Sequence, residues 1–176
     1  VRNRTQVRGE LLDACAALAV VGRLGVGLDN IDVEACRARN IPVFPATGAN
    51  DVSVAEYVIA SAMLLLRGAF RSTASVADGR WPRAALINGR EISGKTMGLV
   101  GFGNIARETA KRAAALGMTV IGHDPFLEDA DPAWSAHQTR PVSLDTLMTT
   151  SDVVSLHVPL TRETRGMIDA AFFAAM

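Results

Sequence analysis

The sequence predicts an α/β fold: a doubly wound parallel sheet, with a domain boundary near residues 45–50 that sets off the α/β segment before it. Three observations carry this. Short apolar runs bounded by turn residues alternate with helical patterns, as parallel strands joined by crossover helices do. One such run, "KTMGLVGFG", opens through glycines into an amphipathic stretch, "NIARETAKRAAALG". A Pro/Gly/Asn-rich loop at residues 45–50 precedes a long apolar helix and marks a domain boundary.

The elements follow in order. Residues 8–17 read as a helix, residues 18–24 as a short buried strand, and "GVGLDN" as a turn. Residues 32–40 form a short helix with Asp32 as N-cap, because an aspartate there can accept a free first-turn amide. Residues 41–44 are another strand. A helix starting at Asp51 or Ser53 runs to about residue 77, apolar on several faces and therefore buried on several sides. "DGRWPRAALINGREISGK" is a loop rich in turn residues. A strand at 96–100, a helix at 104–116 and a strand at 118–122 come next. A helix at 144–149, a strand at 153–157 and helical sequence from Ala170 complete the reading.

Composition narrows the function classes. Of 176 residues, 49% are hydrophobic and 20% charged, the balance of a globular domain. The formal net charge is +0, which leaves no electrostatic footprint for nucleic acid or an anionic membrane. The longest apolar run, "VAEYVIASAMLLL", contains Glu56 and falls short of the roughly 20 residues a bilayer requires. Cys15 and Cys36 form no C-x-x-C pair, and they read as reduced thiols of a cytoplasmic protein. His123, His137 and His157 lack metal-ligand spacing, so no metal is expected.

Gly101-Phe-Gly103-Asn-Ile-Ala106 has the context a dinucleotide-binding turn requires: a strand before, a helix after, and an acid about 20 residues on. Gly101 allows the tight turn, Gly103 lets a pyrophosphate approach the backbone, and Ala106 permits close helix–strand packing. The helix N-terminus offers free N–H groups and partial positive charge to the phosphates. The next strand, "MTVIGHD", delivers Asp124, which can accept hydrogen bonds from ribose hydroxyls and would repel a 2′-phosphate. Pro125 and Phe126 follow with no nearby cation, which favours NAD over NADP. This is the pattern of a Rossmann-type NAD-binding domain.

"GREISGKT", residues 89–96, also matches the phosphate-loop pattern of nucleotide triphosphatases. A phosphate loop follows a strand and opens a helix, whereas this segment follows a polar loop and opens a strand. Glycines at 98, 101 and 103 would each cost a helix about 1 kcal/mol.

Five motifs together resemble the D-isomer-specific 2-hydroxyacid dehydrogenases, the group that includes phosphoglycerate dehydrogenase. They are "VGRLGVGLDNID" (21–32), "GANDVSVAEYVIA" (48–60), "GKTMGLVGFGNIA" (94–106), "GHDPF" (122–126) and "HVPLTRETRGMID" (157–169), in the family's order and approximate spacing. The resemblance implies that residues 1–48 are the C-terminal part of a second, smaller α/β substrate domain and residues 49–176 a partial NAD-binding domain. It places Leu24, Gly25 and Val26 toward the substrate carboxylate or the nicotinamide end of the cofactor. Asn104 and Ile105 would line the pyrophosphate, Asp124 and Pro125 the adenosine ribose, and His157, Val158 and Pro159 the crevice wall beside the adenosine half. Asn104 stands where many members carry arginine, and His123 where tyrosine is common.

The same resemblance implies that the family's catalytic arginine, glutamate and histidine have no counterpart among these residues, and that both ends are cuts through a larger protein. His157 is accordingly read as a crevice residue and not as the acid–base histidine. The complete enzyme would pass a hydride between nicotinamide and a small 2-hydroxy or 2-keto acid. Phosphoglycerate, sulfolactate, glyoxylate and hydroxypyruvate all stay open as substrates. A non-enzymatic NAD-sensing module, like the corepressors built on this fold, is the second reading. The long helix, by the same resemblance, would pair two copies in a homodimer.

Overall fold

A computed structural model describes all residues, Val1–Met176. The chain divides into two compact units, residues 1–50 with 159–162, and residues 51–158 with 163–176.

In the first unit, α1 (Glu10–Ala14) precedes β1 (Val21–Arg23), and α2 (Val33–Ala38) precedes β2 (Val43–Pro45). The two strands pair in parallel, Val21 opposite Val43 and Arg23 opposite Pro45. Val7, Leu12, Val21, Ile31, Cys36 and Ile41 form the core. Asp32 caps α2 by accepting the Ala35 amide at 2.9 Å. Helix α1 is shorter than the apolar spacing suggests, because the chain bends at Gly9, where φ is 47°, and leaves the helix at Cys15.

The second unit opens with α3 (Asp51–Arg67). The sequence reading continues this helix to residue 77. The chain instead turns at Gly68, which adopts the left-handed region at φ 67°, and makes a 3-10 turn at Ala69–Ser72 before α4 (Thr73–Ala77). A glycine reaches that conformation without steric cost, so the helix stops there. The loop that follows contains one helical turn, α5 (Arg83–Leu86). No single helix is long and apolar enough to cross a membrane, and α3 with residues 69–77 reaches that length only across a 66° bend.

The sheet is built from β3 (Thr96–Val100), β4 (Thr119–His123), β5 (Thr139–Pro141) and β6 (Val153–Leu156). Helix α6 (Asn104–Ala115) joins β3 to β4, α7 (Pro132–Ala136) lies between β4 and β5, α8 (Leu144–Thr150) leads to β6, and α9 (Ala170–Ala175) ends the chain. All strands are parallel, in the order β5-β4-β3-β6. The chain therefore steps outward from β3 to one edge, then crosses back to β3's other side. That reversal is a switch point in strand order, the place where a doubly wound sheet puts its ligand crevice.

Side-chain alternation puts helices on both faces. Met97, Leu99 and Val120 pack with Ile59 and Ala62 of α3 and with Ala106, Ala110 and Ala113 of α6. Val100 and Ile121 point the other way, onto Leu147 of α8. The alanine row on α6 lets this helix lie close against β3. Residues 89–96 lead into β3 and not into a helix, which excludes the phosphate-loop alternative.

Candidate dinucleotide site

At the carboxyl ends of the central strands the backbone closes into a small knot. The Gly101 amide donates to the His123 carbonyl at 2.8 Å, and the His157 amide donates to the Val100 carbonyl at 2.7 Å. Gly101 sits at φ 86°, and a Cβ there would lie 2.8 Å from the His157 carbonyl oxygen. Only glycine fits both the dihedral and the space. Gly103 differs: its φ and ψ of −75° and −168° suit any residue, and a Cβ there would meet nothing within 4 Å. It leaves open space beside the start of α6. No side chain caps this end of the helix, so the first-turn amides of Asn104 and Ile105 keep their donors for an outside acceptor. Ala106 is fully buried where α6 meets the sheet.

Phe102, the residue between the two glycines, carries structure that the glycine pattern does not announce. Its side chain is 0% exposed and stacks on Trp134 with ring centroids 4.2 Å apart. Arg107 lies over the same ring, 5.7 Å from its centroid, and its Nε donates to the Phe102 carbonyl at 3.0 Å. The Phe102 amide donates to Asp124 Oδ2 at 2.8 Å.

Asp124 therefore does two things. Its Oδ1 accepts the Phe126 amide at 2.9 Å while Oδ2 accepts Phe102, so both oxygens hold backbone. Each still has a second lone pair for a hydroxyl donor. Pro125 and Phe126 are exposed beyond it, Phe126 at 94%. His123 faces away, its Nδ1 within 3.1 Å of the Val142 carbonyl.

His157 follows β6. Its Nε2 is buried without a hydrogen-bond partner, and burial lowers its pKa to about 4. It is a neutral imidazole at ordinary pH, unable to act there as a proton donor of the imidazolium kind. An orphaned buried polar atom beside the carboxyl end of β6 is consistent with a ligand that supplies its partner on binding. Val158 packs on the α8 face of the sheet.

Gly101, Gly103, Asn104, Ile105, Asp124, Pro125, His157 and Val158 thus belong to one unit, whereas Pro159 and Leu24, Gly25 and Val26 belong to the other. In that first unit Leu24 and Val26 are exposed on a loop whose underside is pinned by Arg23, only 7% exposed. Arg23 donates to the Leu24 and Gly27 carbonyls and to the side-chain oxygens of Asn30 and Asn3. The sequence reading missed this arginine, together with Phe102, Arg107 and Trp134.

A family profile, "D-isomer specific 2-hydroxyacid dehydrogenase, NAD binding domain", matches residues 59–176. Over its whole length the chain is 56% identical to an (S)-sulfolactate dehydrogenase of Chromohalobacter salexigens and covers 56% of that protein. It is 42% identical, again over its whole length, to a hydroxypyruvate reductase of Thermotoga maritima, covering 56% of it. The crystal structure of D-lactate dehydrogenase from Aquifex aeolicus complexed with NAD and lactic acid superposes with a TM-score of 0.90 at 30% identity, covering 100% of this chain and 52% of that one. The chain spans about half the length of these relatives. It belongs to the D-isomer specific 2-hydroxyacid dehydrogenase family, and residues 59–176 match that family's NAD-binding domain.

Proposed function

We propose that the whole protein is an NAD-dependent dehydrogenase that interconverts a small 2-hydroxy acid and its 2-keto acid. The observation that carries this is the open backbone at Gly103 beside an uncapped helix N-terminus, with the Asp124 carboxylate fixed at the end of the neighbouring strand. NAD supplies a hydride acceptor at the nicotinamide. Gly101, Gly103, Asn104 and Ile105 receive the pyrophosphate, Asp124 and Pro125 the adenosine ribose, and His157, Val158 and Pro159 the adenosine half. His157 Nε2 gains a partner when that half binds. Leu24, Gly25 and Val26 of the first unit receive the substrate carboxylate, and residues 1–48 act as part of the substrate domain.

Sulfolactate is the first substrate to test, since a relative 56% identical to the chain over the aligned residues is a sulfolactate dehydrogenase. The surrounding protein is read as a cytoplasmic homodimer paired through α3, where Tyr57, Leu64 and Leu65 are exposed. The decisive experiment follows NADH at about 340 nm, the usual wavelength for the reduced nicotinamide. The full-length protein is given sulfolactate, phosphoglycerate, glycerate and lactate in turn. Turnover of one 2-hydroxy acid, lost on Gly103→Val, supports the reading. No oxidation of any of them, with intact NAD binding, overturns it.

A further inference from the structure

Trp134 lies outside every motif in the sequence, yet it is 3% exposed and touches the loop that the cofactor reading depends on. The indole fills space that β4 leaves for it: a Cβ at Gly122 would lie 2.6 Å from Trp134 Cζ3. Its Nε1 donates to the Glu128 carbonyl at 3.0 Å, which fixes the ring plane. Helix α7, which carries it, is anchored at its start by Asp131, whose side chain accepts the Ala133 amide at 2.8 Å, with Pro132 in the first turn. Trp134 is thus held on three sides before it meets Phe102.

The loop beyond has the opposite character. Phe102 is flanked by Gly101 and Gly103, and glycines leave the backbone more conformational freedom than any other residue. Three tethers remove it: the amide to Asp124, the carbonyl to Arg107 Nε, and the ring to Trp134. The two backbone tethers fix the peptide units on either side of Phe102, and the ring between them is stacked on Trp134, with His137 edge-on at 6.1 Å and Arg107 over it. A loop already ordered loses less entropy when a diphosphate docks on it.

We propose that Trp134 is a positioning residue for the dinucleotide loop. Through its stack on Phe102 it holds the Gly101–Gly103 backbone in the binding conformation and aims the Phe102 amide at Asp124. Stacking of this kind is worth a three- to tenfold change in an equilibrium, about the effect of one aromatic pair. The proposal rests on the cofactor reading, and its test separates the two.

The experiment uses the full-length protein with Trp134→Leu, Trp134→Phe and a control, Leu12→Ala. Leu12 is buried in the core of the first unit, to which the loop does not belong, so its truncation lowers stability without touching the loop. Two quantities are read well below the melting temperature: the NAD dissociation constant by calorimetry, and the exchange rate of the Phe102 amide in the free protein. Trp134→Leu should raise the dissociation constant three- to tenfold and speed exchange at Phe102, Trp134→Phe should recover most of both, and Leu12→Ala should leave both at the parent values. An unchanged dissociation constant and unchanged Phe102 exchange in Trp134→Leu overturn the proposal, as does an equal effect from Leu12→Ala. A parent protein that binds no NAD overturns the cofactor reading instead, while Phe102 exchange still decides whether Trp134 orders the loop.

Discussion

Asp124 and Phe102 are joined by a hydrogen bond of 2.8 Å from the Phe102 amide to the Asp124 carboxylate, linking the acid at the end of β4 to the centre of the glycine turn. The acid proposed to read the ribose is therefore also a structural member of the turn proposed to receive the pyrophosphate. The two halves of the dinucleotide fingerprint are one hydrogen-bonded unit.

This coupling changes what a cofactor-switching substitution should do. Asp124→Ser removes the repulsion toward a 2′-phosphate but also replaces the two charged acceptors of the Phe102 and Phe126 amides by one shorter, neutral hydroxyl. Each lost charge-assisted hydrogen bond is worth about 1.5–3 kcal/mol. The single substitution should therefore weaken NAD at least tenfold and give little gain for NADP. Adding Phe126→Arg, at a position open to solvent, supplies the phosphate with a cation and should narrow or invert the preference. Calorimetric titration with both cofactors checks this. Equal affinities for NAD and NADP in the parent would remove the basis of the argument.

The two glycines of the turn should separate cleanly by measurement. Gly101→Ala forces a Cβ into the His157 carbonyl at a positive φ, a strain of about 1–3 kcal/mol. Its melting temperature should fall by several degrees. Gly103→Ala meets no protein atom, so its stability should stay within about 0.5 kcal/mol of the parent. Its methyl group would stand where the pyrophosphate is proposed to approach, and NAD affinity should then fall tenfold or more. Thermal melts beside binding titrations on both variants give the answer, and a Gly103→Ala protein that binds NAD normally would place the phosphates elsewhere.

How much of this was legible beforehand follows from which forces write themselves into local sequence. The alternation of apolar strand and amphipathic helix is periodic, so β3, α6, β4 and β6 could be read from spacing alone. Asp32 at the start of α2 was readable because capping is local chemistry. Strand β5 is three residues ending in Pro141 at a sheet edge, too short to carry a period. Helix α7 was missed although Asp131 and Pro132 are a cap and first-turn signal. The Phe102–Trp134 stack joins residues far apart in sequence, and no pattern within either segment records it. The break at Gly68 was missed because apolar residues continue past it, and the pattern of burial does not report a change of axis.

His157 should make stability depend on pH in a specific window. Burial holds its folded pKa at about 4, below the ordinary 6.5 or so of an unfolded histidine. Between these values the unfolded chain binds the extra proton, so stability rises with pH there. The contribution is fully present above about pH 6.5 and is lost as the pH falls toward 4. From pH 7 to pH 5 it amounts to about 2 kcal/mol. His157→Gln should flatten that part of the melting-temperature profile and leave the carboxylate-driven loss at lower pH. A parallel profile in the variant would show that the imidazole does not titrate in this window.

The last prediction concerns α3 and distinguishes two neighbours on one helix. Ala55, Ile59, Ala62 and Leu66 form its buried stripe, and Met63 packs half-buried against the same core. Leu65 is 61% exposed and Tyr57 74%, on faces the helix does not need for its own unit. A two-fold pairing would set such a patch against its own copy, so each substitution acts twice across the interface. Met63→Glu places a carboxylate against the core and should unfold the domain, since an unpaired buried charge costs several kcal/mol. Leu65→Glu should leave the monomer folded and separate the pair, because two like charges would then meet at the axis. Light scattering beside circular dichroism on the full-length variants reads both outcomes. A Leu65→Glu protein with the parent's mass would show that α3 does not join the copies, and a monomeric parent at micromolar concentration would show that there is no pair to join.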